Sequence, residues 1–409
     1  MGLFCKAPFC YLGINANGTI QPCCINNLSI DISHKSLLDI WFGEEFERVR
    51  KSIEDLDCDY YYCNYCKSLG MTQSCPARVY DSFFVNDNRM PSFIKFSNSN
   101  KCNLKCAMCN EVYSSSFTNH EQSCLLDNNF IEQLDDLIPC LKAASFSGGE
   151  PLLIPAYRQI IKRMKIVNPE ACIHLTTNGT IFNDTIGLLL DSENVFLTLS
   201  ADSIVENTYQ VIRRGAQLET FMAHLDHFAK LSCHVDVNIC LTSINLLDLA
   251  ETISFFSNLN MAINVVIAKH PVTLSLYYVD NDQLDGQIED VMVAINGIHK
   301  TSEITSQNVA KAITAIESII DFRGQVKKRN AEVVFYEEFK RALRSSSYNN
   351  KKSDQDIDDI LAPIPRYVFT ENFVRCFFKF NSNDEMSKLM EYSNNTIQDY
   401  IISNSFYLA

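Results

Sequence analysis

CNLKCAMC, residues 102–109, holds three cysteines spaced four and then three positions apart. A structural zinc or an iron-sulfur cluster normally takes four protein ligands, so one place is left to fill. The stretch follows SFIKFS (92–97), a short apolar run that reads as a strand. Active-site loops of α/β barrels emerge at the carboxyl ends of strands, which puts these thiols where chemistry is done. A zinc site completed by a distant Cys or His is the alternative, but zinc ribbons and knuckles use CxxC pairs and match this spacing poorly. A four-iron cluster with one iron open to a substrate or cofactor fits it better.

Outward from that loop, short apolar runs alternate with amphipathic stretches, the pattern of parallel strands joined by crossover helices. The strands read as 92–97, 143–147, 172–177, 195–201, 234–242 and 263–268, with helices near 129–141, 155–167, 181–190, 216–231 and 246–258. Six such units suit a partial or open barrel. The spacing predicts one helix over 36–53, around the only tryptophan, Trp41, and another over 308–322. SSSYNNKKSDQD (345–356) reads as a polar linker. Three regions follow: a cysteine-rich 1–90, an α/β core 91–272 and a mainly helical 273–409.

With 46% apolar and 21% charged residues, the 409-residue chain has the composition of a soluble globular protein. No apolar run reaches the roughly 18 residues of a membrane span, and MGLFCKAP lacks the features of a signal peptide, so a cytoplasmic location is expected. The net charge of -14 is spread along the chain and disfavours nucleic acid as a partner. Of seventeen cysteines, eight lie in residues 5–75, which points to metal or redox chemistry rather than disulfides.

CxxxCxxC after a first strand, with GGEP about forty residues on, resembles the radical S-adenosylmethionine (radical SAM) enzyme family. The resemblance implies an α/β fold built on a partial (β/α)6 barrel. It implies that Cys102, Cys106 and Cys109 hold a 4Fe-4S cluster whose fourth place is taken by the amino and carboxylate groups of S-adenosylmethionine. In SGGEPLL (147–153), Gly148 and Gly149 would let the backbone approach a ligand closely, and Glu150 would offer a carboxylate to an ammonium group. TTNGT (176–180) follows the third strand. In LSAD (199–202), Ser200 and Asp202 would hydrogen-bond ribose hydroxyls. YQVIRRG (209–215) resembles the family's Tyr-x-x-Ile-Arg-x-Gly segment, so Arg213 or Arg214 would pair with the methionyl carboxylate. Met108 stands where the family often carries an aromatic residue beside the adenine.

At the amino terminus, Cys5, a turn at ANG with Gly18, Cys23 and CNYC (63–66) resemble the family's auxiliary-cluster module, SPASM, or its shorter form, twitch. That module usually follows the barrel; here it precedes it, and the full seven-cysteine spacing is missing. The resemblance implies one auxiliary 4Fe-4S cluster at Cys5, Cys23, Cys63 and Cys66. Cys24 competes with Cys23 and Cys10 with Cys5, a zinc ion at the same cysteines is the alternative, and Cys58 or Cys75 could serve a second cluster.

Cys240 shares a strand face with Asn238, and a thiol there could return a hydrogen atom to a substrate radical, although a strand cysteine is more often a small buried apolar residue. His174 reads as a core imidazole and His270 as a loop residue near the site. The family's chemistry is reductive cleavage of S-adenosylmethionine to a 5'-deoxyadenosyl radical that abstracts hydrogen from a substrate. A one-electron donor such as flavodoxin or ferredoxin is then the expected partner. Relatives with the auxiliary module commonly modify peptides or protein side chains, which makes these the first choice and a sugar or aminoglycoside the second. No winged-helix element is read in 1–90, which counts against a peptide. A non-catalytic iron-sulfur redox or electron-transfer protein is the reading from another class, and it has no use for the SGGE, SxD and RRG motifs. Two four-iron clusters predict about eight irons per chain after anaerobic reconstitution; a count of about four would remove the auxiliary cluster.

Overall fold

The computed structural model describes residues 5–24, 30–31, 35–55, 76–85, 90–118, 121–124, 126–269, 271, 274–277, 283–328, 339–340, 343, 352–364 and 397–401. Its strands are β1 (Tyr11–Asn15), β2 (Thr19–Gln21), β3 (Ile30–Asp31), β4 (Phe93–Ser97), β5 (Ala143–Phe146), β6 (Cys172–Thr177), β7 (Val195–Ser200), β8 (His234–Leu241) and β9 (Ala262–Ile267). Its α-helices are α1 (Ala7–Cys10), α2 (Leu37–Trp41), α3 (Glu44–Glu54), α4 (Asn128–Gln133), α5 (Pro155–Val167), α6 (Asp184–Leu190), α7 (Glu206–Ile212), α8 (Leu218–Phe228), α9 (Leu249–Asn258), α10 (Leu284–Asn296), α11 (Glu303–Lys328) and α12 (Asp354–Leu361). The chain forms two compact units, one of Met1–Lys105, Glu111–Ser200 and Gly215–Asp236, the other of Cys106–Asn110, Ala201–Arg214 and Val237–Ala409. No helix among the described residues is long and apolar enough to cross a membrane.

In the first unit the strand order is β3-β2-β1-β4-β5-β6-β7. β4 to β7 are parallel, as expected for strands joined through helices. Alternation sets their faces. In β7, Val195, Leu197 and Leu199 are buried while Phe196, Thr198 and Ser200 are less so, and β6 buries Ile173 and Leu175 in the same way. α5 starts with Pro155, whose missing N–H costs nothing there, and buries Ala156, Tyr157, Ile160, Ile161 and Met164 at helical spacing. The Tyr157 hydroxyl reaches the end of β4, accepting from the Asn98 N–H at 3.0 Å and donating to Asn98 Oδ1 at 2.8 Å.

The amino-terminal hairpin is part of this sheet, a connection that the separate reading of residues 1–90 did not include. β1 and β2 are antiparallel around a turn whose Gly18 has φ +79°, a conformation that favours glycine. β1 then pairs in parallel with β4, from Tyr11 opposite Phe93 to Asn15 opposite Ser97. Other departures have local causes. The helix expected over 36–53 is two helices, because Ser36 and Asp39 cap α2 and the chain restarts α3 at Gly43. The helix expected over 129–141 stops at Gln133 and continues as two 3-10 turns, the second of which carries Pro139.

In the second unit, β8 and β9 are neighbours, joined by the Ala268 N–H to the Leu241 carbonyl at 2.9 Å. Asn308, fully buried on α11, accepts from the Ile263 N–H and donates to Ser257 Oγ and the Met261 carbonyl, tying α11 to β9 and α9. α12 begins inside the stretch read as a polar linker, since Ser353 and Asp356 form a capping box. Tyr157→Phe leaves the buried Asn98 N–H without its acceptor, and a loss of about 1–3 kcal/mol in urea unfolding is expected.

Candidate functional site

In the first unit, the loops at the carboxyl ends of β4 and β5 are bound to each other through backbone, and the loop after β6 joins them through side chains. Gly148 has φ +89°, and a Cβ on it would lie 2.5 Å from the Ser99 carbonyl oxygen; one on Gly149 would lie 2.0 Å from that of Lys101. This closeness lets the Gly149 and Glu150 N–H groups donate to Ser99 and Lys101 at 3.1 and 2.6 Å. The two glycines thus meet the backbone of the thiol loop itself. Glu150 is buried, and its carboxylate accepts from the Leu152 N–H (3.0 Å), the Thr177 hydroxyl (2.7 Å) and the Asn178 N–H (2.8 Å). Asn178 in turn donates to Asn103 Oδ1 at 2.9 Å, and Asn103 donates to Thr180 Oγ1 at 2.9 Å. Cys102 is held by its N–H to Ser115 Oγ (3.2 Å) and its carbonyl to the Ser116 hydroxyl (2.6 Å), while the Leu104 N–H points at its sulfur (3.5 Å). Ser200 ends β7.

The second unit contains Cys106 and Cys109, which bracket a turn closed by the Cys109 N–H to the Cys106 carbonyl at 3.0 Å. Met108 lies half-buried in it. The Ala107 N–H donates to the Ile212 carbonyl at 2.7 Å, bringing the turn to the end of α7. Asp202 and Arg213 form a buried ion pair, Nε to Oδ2 at 2.6 Å. Asp202 Oδ1 accepts from the Cys240 N–H at 2.8 Å, and Nη1 of Arg213 lies 3.8 Å from the Cys106 sulfur. Burial works against the Arg213 charge, but the Asp202 carboxylate and the Cys106 thiol outweigh it and raise the guanidinium pKa. Burial pushes the Cys240 thiol up to about 12, and the neighbouring Asp202 adds to this. Arg214 is exposed, so of the two arginines Arg213 is the one inside the network.

Cys5 and Cys23 are buried in one apolar cluster with Cys10, Tyr11, Tyr80 and Phe93. The Cys10 thiol donates to the carbonyls of Lys6 (3.2 Å) and Tyr80 (3.5 Å), and burial pushes it up to about 12. Cys24 is exposed, and its hydrogen bond with the Cys23 thiol lowers it to about 6. Cys63 and Cys66 lie outside the described residues, as do Cys58, Cys75, His270 and Cys376. His174 is half-buried on β6 and stacks on Phe196 at 4.9 Å. Among the described residues no three His, Cys, Asp or Glu side chains gather as around a single metal ion. Thiolates of a cluster bind separate irons and need not converge on one point. The all-sulfur donor sets suit iron-sulfur clusters.

The model of the Radical SAM superfamily matches residues 97–256, and that of an iron-sulfur cluster-binding domain, SPASM, matches residues 5–68. The chain belongs to the radical SAM superfamily. Its amino-terminal module is SPASM, set ahead of the radical SAM domain, and the fold is mixed α/β with mostly parallel strands and, among the described residues, a helical carboxyl-terminal region. A 4Fe-4S cluster, S-adenosylmethionine and an auxiliary iron-sulfur centre are the cofactors of these domains.

Among curated proteins, the GTP 3',8-cyclase of Staphylococcus epidermidis is 23% identical over 179 residues, 42% of this chain and 53% of that one. The GTP 3',8-cyclase of Clostridium perfringens is 25% identical over 146 residues, 36% of this chain and 45% of that one. The chain thus spans about half the length of the curated relatives it matches. Among solved structures, native anSMEcpe with bound AdoMet is 16% identical with a TM-score of 0.38, covering 49% of this chain and 57% of that one. SuiB of Streptococcus suis bound to S-adenosylmethionine is 15% identical with a TM-score of 0.39, covering 63% and 60%.

The motif order was legible; the long-range partners Asn103, Thr177, Asn178 and Asn245 were not singled out. Asn245 donates to the Asp202 carbonyl at 2.7 Å, and TTNGT, already noted as a motif, was the available signal for two of the others. Asp202→Asn leaves the Arg213 guanidinium buried without its countercharge. A loss of about 3–5 kcal/mol is expected, read as a lower urea midpoint.

Proposed function

We propose that this radical SAM chain modifies a peptide or protein side chain by abstracting a hydrogen atom from it. Cys102, Cys106 and Cys109 would hold the cluster, which with S-adenosylmethionine supplies the hydrogen-abstracting chemistry. The observation that carries the reading is the set of hydrogen bonds binding the SGGE loop to the backbone just before Cys102 and the TTNG loop to the Glu150 carboxylate and the Asn103 side chain. A scaffold or electron carrier needs no such convergence of three strand-end loops. Glu150 fixes these loops, and Asp202 acts in the same way on Arg213 and β8. Buried, fully engaged acids of this kind keep a site rigid before any ligand enters, so less ordering remains to be done on binding.

The SPASM module supports the peptide reading, because relatives with this module commonly act on peptides. The curated relatives are named for GTP, so a small molecule is the second reading. The auxiliary site would use Cys5 and Cys23 with Cys63 and Cys66, and a flavodoxin or ferredoxin in the cytoplasm would supply the electron. The region boundaries 1–90, 91–272 and 273–409 belong to the same proposal. Anaerobic incubation of the reconstituted chain with S-adenosylmethionine and dithionite should yield 5'-deoxyadenosine. Cys102→Ala, Cys106→Ala or Cys109→Ala should abolish it. Mass spectrometry of peptides encoded beside the gene should show a changed mass in one of them. No 5'-deoxyadenosine from a fully loaded chain with these peptides overturns the enzyme reading, whereas turnover of nucleotides or sugars alone overturns the peptide assignment.

A further inference from the structure

Arg213 was expected to meet a carboxylate of the bound cofactor, yet its guanidinium is already committed within the protein. Nε donates to Asp202 Oδ2 at 2.6 Å, and Nη1 reaches the Cys106 sulfur at 3.8 Å, within hydrogen-bond range for sulfur. The arginine side chain is 10% exposed and that of Asp202 is fully buried. Neither partner is free to drift. Asp202 is anchored through Oδ1 to the Cys240 N–H and through its carbonyl to Asn245, whose Oδ1 accepts from the N–H and hydroxyl of Thr242. Arg213 ends α7 with its N–H on the Tyr209 carbonyl, and the preceding carbonyl, of Ile212, accepts from Ala107, the residue after Cys106. Backbone therefore fixes both ends of the distance between this cation and this thiol.

We propose that Arg213 is a positioning residue that donates an N–H to the Cys106 sulfur and raises the reduction potential of the cluster held there. The role rests on the radical SAM reading of the three-thiol loop. A ligand sulfur that accepts a hydrogen bond gives less electron density to its iron, and a buried cation beside it favours the reduced, more negative cluster. Little water lies between to screen the charge. The planar fork is what lets one side chain face Asp202 and Cys106 at once, and an ammonium on a flexible stem does this poorly. Five N–H groups leave the guanidinium able to meet a carboxylate as well.

The test is a redox titration of the full-length, anaerobically reconstituted chain without S-adenosylmethionine. Electron paramagnetic resonance follows the cluster whose signal changes when S-adenosylmethionine is later added. Arg213→Gln should lower its reduction equilibrium about tenfold, which is about 59 mV for one electron. Arg213→Lys keeps the charge opposite Asp202 but loses the fork, and should shift the potential in the same direction by less. If Arg213→Gln does not retain its cluster, Arg213→Lys decides. Wild-type potential in a variant of wild-type iron content and circular dichroism overturns the proposal, including when its S-adenosylmethionine affinity is reduced, since the arginine then serves only the cofactor. A wild-type chain that shows the shift with its variants yet forms no 5'-deoxyadenosine would support this role while overturning the enzymatic one.

Discussion

Glu150 is a carboxylate taken out of water at the junction of three loops, and burying a charge is costly unless hydrogen bonds replace the water it loses. Here the Leu152 N–H, the Thr177 hydroxyl and the Asn178 N–H do so, and the same acid's backbone N–H holds the Lys101 carbonyl one residue before Cys102. One residue thereby couples the end of β5, the end of β6 and the thiol loop. The geometry works only because Gly149 has no Cβ, since one would occupy the space of the Lys101 carbonyl oxygen. Without that close approach, the loop carrying Glu150 would ride off the thiol loop and the acid would lose its place among its donors.

Asp202 plays the corresponding part in the second unit. It ion-pairs with Arg213, accepts from the Cys240 N–H and, through its carbonyl, holds Asn245. Each unit thus contains one buried acid that gathers loops around a cysteine of the CxxxCxxC motif. Both acids thus hold the protein around the thiols: a cluster ligand held by a mobile loop would be poorly oriented, and outer hydrogen bonds set the direction of the inner ligands.

The strands were legible because alternation is a local property, and β6, β7 and β8 carry it in runs of six to eight residues. Helix ends were less so. Gly43 divides a continuous apolar stripe, and Ser353 with Asp356 starts a helix in a stretch whose polarity reads as linker. α7 was read only as the motif YQVIRRG, although its buried Tyr209 and Ile212 stand at helical spacing. The candidate site was legible as an order of motifs. Its partners were not, because Glu150 with Asn178 and Asp202 with Cys240 stand 28 and 38 residues apart, and nothing local encodes such pairs. The pairing of β1 with β4 was hidden for the same reason: a period of two marks a strand without naming its neighbour.

That pairing also disposes of a hazard. A parallel sheet beginning at β4 would present a row of free N–H and C=O groups along five residues, a template on which another chain could add a strand. β1 covers that row along its whole length, β2 covers part of β1, and among the described residues this side of the sheet ends on β3, which is two residues long. So short a border offers almost nothing for a foreign strand to grip. The cysteine-bearing hairpin is therefore also a hem, and a chain that lost its fold through lack of metal would expose, along with its thiols, the raw edge of the sheet.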